Sequence, residues 1–279
     1  MSEYRQALDL VQESLHDLRE QGVQLQASRD ALERFVSTAD LEPIAVIAPA
    51  PSAPARPTMP LPVAAPVQIS ASGPKAERLA ALRTPVLACT LCPHLVKSRT
   101  QVVFGVGNPN AELMFVGEAP GEDEDKAGEP FVGKAGQLLT KIIEAMGLSR
   151  DEVYIANVLK CRPDMAPGMP GNRKPKPAEM DTCKPYLLQQ IEIIQPKVMV
   201  ALGATAMEGL LGATDPMARL RARWHDFRGT PLMATYHPAY LLRNQSLGEK
   251  RKVWEDMLMV LEKLEKPITD RQRGFFLRA

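Results

Sequence analysis

No apolar run in this chain is long enough to cross a membrane, because the longest are short and broken by proline or glycine. The opening residues, Met1-Ser2-Glu3-Tyr4-Arg5-Gln6, lack the basic stretch followed by an apolar one that marks a secretory leader, so a cytoplasmic protein is expected. Cysteine is scarce, at four in 279 residues. In a cytosolic chain of this size such cysteines read as metal ligands or redox groups before disulfides. Net charge is nearly absent as well: 34 basic and 33 acidic residues leave +1, which selects no class of partner.

The charge becomes informative once it is divided along the chain. Residues 1–74 hold five arginines against nine acidic groups, while the remainder carries a surplus of five positive charges, compatible with a polyanionic partner. Within residues 1–38, Leu8, Val11, Leu15, Leu18, Leu25, Leu32 and Val36 share one helix face. Gly22 and Arg29 interrupt that stripe, which makes a coiled coil marginal and leaves a lone amphipathic helix or a docking helix for a protein partner. Residues 39–75 follow as a Pro/Ala-rich stretch, with nine of the 25 prolines between Asp40 and Pro74, predicting a semi-extended linker.

From residue 76 to 266 the pattern is that of an α/β domain. Apolar runs at 113–116, 153–156, 198–202 and 232–235 alternate with helical stretches near 134–146, 177–195, 204–211 and 247–264. Strands apolar on both faces and alternating with helices predict a parallel sheet covered on both sides. Ligands of such sheets bind beyond the carboxyl ends of the strands. Residues 267–279 read as a frayed tail, with an aromatic docking hook as the alternative.

The chemistry-bearing residues do fall after those runs. Gly117-Glu118-Ala119-Pro120-Gly121-Glu122-Asp123-Glu124-Asp125 is a glycine-rich loop crowded with carboxylates, and Glu122, Asp123 and Asp125 fit a solvated acidic turn. Phe131 stands in the same polar stretch, as a stacking surface or as part of the core. Gly128-Glu-Pro-Phe-Val-Gly133-Lys134-Ala135 imitates a phosphate-binding loop but has alanine where the magnesium ligand belongs and no strand before it, which argues against a nucleotide hydrolase. Asn157 ends the second strand, either as a base-reading carboxamide or as a turn cap. His237 leaves the fourth strand immediately before a proline that fixes its backbone. The four cysteines are Cys89 and Cys92 in a Cys-x-x-Cys turn, Cys161 at a strand end and Cys183 in a helix. Four thiolates suit Zn²⁺ or a [4Fe–4S] cluster, and spacing alone does not choose between them.

Taken together, Gly117–Asp125, Pro130-Phe-Val-Gly-Lys-Ala-Gly-Gln-Leu-Leu139, Asn157-Val-Leu-Lys-Cys161-Arg-Pro163, Gly171-Asn-Arg173 and His237-Pro-Ala-Tyr-Leu-Leu-Arg243 resemble the motifs of the family 4 uracil-DNA glycosylases. These are the iron–sulfur members of their superfamily, and the resemblance runs in order from about Ala76 to Leu264. It implies a three-layer α/β/α fold around a mostly parallel four-stranded sheet. It implies a [4Fe–4S] cluster on Cys89, Cys92, Cys161 and Cys183, and uracil-containing DNA, single- or double-stranded, as the substrate of a monomer. On this resemblance Ala119, Phe131, Asn157 and His237 bind the base, and His237 takes up the charge of the departing uracil. Glu118 or Glu124 orients the attacking water, and Tyr240, Leu241, Leu242 and Arg243 engage the duplex. Two departures stand out: an apparent insertion at 164–170, and Glu118 where better-known relatives outside this family carry a water-activating aspartate. A non-catalytic iron–sulfur or zinc protein that binds nucleic acid is the rival reading, and a zinc-dependent nuclease lacks a spare ligand set.

Overall fold

The computed structural model describes residues 62–65, 67–165 and 171–277. The expected helix of residues 1–38, the first part of the linker and most of the apparent insertion lie outside them. Among the described residues no helix is long and apolar enough to cross a membrane.

Four parallel strands form the middle of the sheet: β2 (Leu113–Gly117), β3 (Tyr154–Asn157), β4 (Val198–Leu202) and β6 (Thr230–Thr235). The sheet has six strands rather than the expected four, in the order β1-β3-β2-β4-β6-β5. The two additions, β1 (Val106–Gly107) and β5 (Trp224–Phe227), close opposite edges in antiparallel pairing. Both escaped the apolar pattern for physical reasons. One is two residues long, and the other, Trp-His-Asp-Phe, is an edge strand with a wet side.

The central strands are buried on both faces because successive side chains point to opposite sides. Met114, Val116, Tyr154, Ala156, Met199 and Ala201 enter one core layer, packed by α1 (Lys75–Leu87), α5 (Pro177–Ile194) and α6 (Ala204–Leu211). Leu113, Phe115, Ile155, Val198 and Val200 enter the other, packed by α4 (Lys134–Ala145) and α9 (Leu247–Lys263). The result is a three-layer α/β/α domain. Its helices begin where the sequence supplies caps. Pro177 opens α5 while Glu179 accepts the Lys176 N–H at 2.7 Å, and Ser246 Oγ accepts the Glu249 N–H ahead of α9. Shorter helices fill the connections: α2 (Pro93–Ser98), α3 (Glu122–Ala127), α7 (Met217–Leu220), α8 (Pro238–Arg243) and α10 (Asp270–Gly274).

Two boundaries differ from the expectation. The end of the proline-rich stretch is bound to α5: the Ala64 N–H donates to Thr182 O at 3.1 Å, and the Gln189 amide bonds both N–H and C=O of Val67 at 3.0 and 2.8 Å. At Ala64 and Val67, therefore, the stretch is not a free linker, since a backbone without neighbours in a ladder has found partners on a helix. The carboxyl-terminal tail is docked rather than frayed. Trp254 Nε1 donates to Gln272 O at 2.6 Å, and the Phe275 ring packs against Trp254 at 5.2 Å.

Candidate active site

The ends of β2, β3 and β6 surround a cavity of about 320 Å³. Glu118, Ala119 and Pro120 follow β2, Asn157 ends β3, and His237 follows β6. Glu124, Phe131, Arg173 and Arg243 also line it. Residues far apart in the sequence converge here because parallel strands all deliver their carboxyl ends to one edge.

Asn157 is buried, and its Oδ1 accepts no hydrogen bond among the described residues. An unpaired buried acceptor costs about 1–3 kcal/mol. The sequence places it there through a glycine on the neighbouring strand, since Gly117 pairs with Asn157 in the β2–β3 register. A Cβ on Gly117 would run into Asn157 Oδ1 and lie 2.6 Å from the Phe131 ring. Phe131 itself has a left-handed backbone (φ 55°), a conformation that costs a non-glycine residue roughly 1–3 kcal/mol. Three neighbours hold it. Arg150 donates to the carbonyls of Pro130 and Phe131 at 3.0 and 3.2 Å, Glu124 grips the next two residues, and Gly136 leaves room where any Cβ would overlap the Phe131 carbonyl. The ring belongs to the core layer and also faces the cavity, 5.5 Å from the His237 ring.

His237 caps α8, with its Nδ1 accepting the Ala239 N–H at 3.1 Å. A ring that accepts at Nδ1 carries its proton on Nε2 when neutral. Enclosure by the protein, aided by the positive Arg243, lowers its pKa to about 4, so the imidazole is a neutral donor at physiological pH. Burial pushes the Glu118 carboxyl above the usual range, with the Thr205 hydroxyl and Lys174 opposing the shift.

Other expected roles change. Glu124 Oε1 accepts the N–H groups of Val132 and Gly133, and Oε2 accepts that of Gly121, all at 3.0 Å. Its carboxylate fastens loops while also lining the cavity. Leu241 is only 5% exposed and cannot enter a duplex, because α8 turns that side inward against α4. Leu242, at 38%, points outward. Tyr240 stacks on Tyr236 at 4.5 Å and donates to Glu249 at 3.0 Å, so it braces the loop. Arg243 is exposed on the cavity rim. Asp125 is buried and accepts the Thr100 N–H, whereas Glu122 is the solvated group expected. Asn172 and Arg173 line the cavity too, and their motif carried no assigned role in the sequence. Arg173 also binds Asp164 and Glu179, with His94 on Glu179 at 2.7 Å. Against the upward push of burial, Arg173 and the Lys176 N–H hold Glu179 down to about 2.

The cysteines lie on the α1, α5 and α6 side of the sheet, none in a disulfide. Cys92, Cys161 and Cys183 are buried. Burial, then the neighbouring Cys161 and Cys89, pushes Cys92 up to about 12, and burial pushes Cys183 up to about 12 as well. N–H donors already address two sulfurs: Arg99 reaches Cys161 Sγ at 2.9 Å and the Lys160 amide reaches Cys183 Sγ at 3.3 Å. Among the described residues the set of three candidate ligand atoms within 4.8 Å of one another is His94, Asp164 and Glu179, without a cysteine.

The family model described as the uracil DNA glycosylase superfamily matches residues 104–258, the span from the first strand to the middle of α9. The chain belongs to the uracil-DNA glycosylase superfamily. It is 49% identical over 175 residues to the type-4 uracil-DNA glycosylase of Thermotoga maritima, covering 62% of this chain and 87% of that protein. The type-4 uracil-DNA glycosylase of Archaeoglobus fulgidus is 43% identical over 173 residues, covering 59% and 83%. A type-5 uracil-DNA glycosylase of Thermus thermophilus is 29% identical over 218 residues, covering 63% and 94%. These identities set this glycosylase-superfamily chain with the type-4 branch. The matched span contains every cavity residue named above, together with Cys161 and Cys183, while Cys89 and Cys92 precede it.

Proposed function

We infer that this chain excises uracil from DNA: it hydrolyses the N-glycosidic bond, frees the base and leaves an abasic site for base excision repair. The observation that carries the reading is the buried, unpartnered Oδ1 of Asn157 in a cavity shared with Phe131 and His237. An acceptor left open there matches the N3–H of uracil, while the amide Nδ2–H donates to O4. Cytosine presents a donor and an unprotonated nitrogen at the same two places, and it would leave buried groups unpaired.

The base lies inside the duplex, so it must first be flipped out at a few kcal/mol. Phe131 offers the face on which the extruded ring stacks, worth about 1–3 kcal/mol. Ala119 contributes to the wall. As the bond breaks, charge collects on uracil O2, where His237 Nε2–H donates; a preorganised donor of this kind is typically worth about 3–4 kcal/mol. Its neutrality suits the task, because the ring need not lose a proton to stabilise the anion. Glu118 orients the attacking water, and its raised pKa strengthens it as a base. Leu242 wedges into the space vacated by the base, and Arg243 meets the backbone phosphates.

The cysteine site fits a [4Fe–4S] cluster. The buried thiols of Cys92 and Cys183, both pushed up by burial with neighbouring cysteines adding to it, need a cationic centre to be present as thiolates. When bound, the cluster supplies a covalent tie between the Cys89–Cys92 turn, the chain beyond β3 and α5. Residues 1–38 would recruit a protein partner as a tethered amphipathic helix, and the repair domain works as a cytoplasmic monomer.

The decisive assay uses end-labelled oligonucleotides with one uracil, single-stranded and paired to G or A, followed by alkali and a gel. Alkali-labile cleavage at the uracil with release of free uracil is expected. Intact strands with all three substrates would remove the assignment.

A further inference from the structure

Lys160 is 1% exposed, three residues beyond Asn157, and its side chain folds back so that Nζ donates to the Asn157 carbonyl at 3.0 Å. The same ammonium donates to Gln190 Oε1, and the Gln190 amide in turn donates to Phe104 O at 2.9 Å and to Tyr154 Oη at 3.1 Å. Gln190 and Tyr154 are themselves buried. Five polar groups from β3, the residues after it, the segment before β1 and α5 thus form one connected network. A methionine would fill that volume without a charge to desolvate. The expensive choice has one visible consequence: a buried ammonium holds the carbonyl of the base-reading residue at the end of β3, while the next two N–H groups, of Val158 and Leu159, bond Gly117 O and Glu118 O at 3.0 Å.

We propose that Lys160 is a positioning residue for base recognition: by clamping the Asn157 main chain against Gln190, it sets the direction of the Asn157 carboxamide and so the preference for uracil over cytosine. The proposal rests on the reading of Asn157 given above. A carboxamide anchored only by its side-chain packing could rotate or recede, and a displacement of about 1 Å at a reacting group costs on the order of a hundredfold in rate.

The test compares Lys160→Met, Gln190→Met and Asn157→Asp with the unmodified holoprotein. For each, single-turnover excision from uracil- and cytosine-containing oligonucleotides is measured with affinity for abasic-site DNA, iron content and melting temperature. Lys160→Met should lower uracil excision by about tenfold to a hundredfold and narrow the uracil-to-cytosine ratio, with abasic-DNA affinity unchanged because that ligand has no base to read. Asn157→Asp should relax the rejection of cytosine. If Asn157→Asp shifts selectivity and Lys160→Met shifts neither rate nor selectivity, Lys160 only fills space and the proposal falls alone. If Asn157→Asp leaves selectivity intact, the reading of Asn157 falls and takes this one with it. Should Lys160→Met lose iron or fail to fold, Gln190→Met decides, since it removes the lysine's other partner without touching the segment next to Cys161. A loss of excision in the same direction supports the clamp, and an unaltered rate overturns it.

Discussion

Protonating His237 on Nδ1 would cost the cap of α8, because Nδ1 would have to surrender the Ala239 N–H. The folded chain therefore resists the proton, and the pKa falls from 6.5 to about 4 by enclosure and the Arg243 charge. The sign follows from linkage. A histidine with a lowered folded pKa lets the unfolded chain take the proton first, so its share of stability is complete above pH 6.5 and drains away as pH falls toward about 4. Spectra of isotope-labelled histidine should show a neutral ring protonated on Nε2 across the range where free histidine titrates, with a midpoint near 4. A midpoint near 6.5 would remove the neutral donor from the mechanism. Replacing His237 by alanine should slow single-turnover excision by roughly a hundredfold to a thousandfold, and an undiminished rate would show that the ring is only a cap.

At the scale of elements, the cavity depends on what the strand ends omit. Gly117 needs no unusual backbone angle, so Gly117→Ala should fold, yet its methyl would strike the Asn157 carboxamide and the Phe131 ring. Overpacking of this kind costs about 1–3 kcal/mol. Excision should fall by roughly tenfold or more, the ratio that about 1.4 kcal/mol in the barrier represents. Equal losses in excision and in abasic-DNA binding would point to general disorder instead. The sequence made the strand ends legible because runs such as Leu113–Val116 and Val198–Leu202 are apolar on both faces and can only be central. Loop side chains were harder. Leu241 and Leu242 look alike in sequence, and only the packing of α8 on α4 decides which one faces out. Glu118 and Glu124 are equally indistinguishable until three backbone N–H groups are found on the second. Lys160 gave no signal either, since a lysine next to a cysteine reads as surface until α5 covers it.

For the whole molecule, the four cysteines sit on segments that the sheet alone leaves separate, the turn between α1 and α2, the chain beyond β3, and α5, which the proposed cluster would join. Cys183→Ser should lower iron and sulfide content, bleach the brown colour of anaerobically purified protein and reduce thermal stability, each kcal/mol lost moving the melting temperature by about 2–4 °C in a domain of this size. A variant that keeps its iron and its melting temperature would exclude Cys183 as a ligand. The edge strands and the two docked ends lay beyond the reach of pattern, because polar edges and proline-rich backbone find partners only after the core exists. The order of the strands has a further consequence. Asn157 and His237 stand three strand spacings apart, roughly 14 Å from backbone to backbone; of the two strands between them, one ends in Gly117 and the other is followed at once by Gly203, and neither glycine has a side chain to project into the gap. The sheet thus acts as a calliper whose jaws are two side chains and whose opening is set by hydrogen-bond geometry. A descendant that removed two-ring bases would have to shorten the jaws, since the calliper's frame cannot widen.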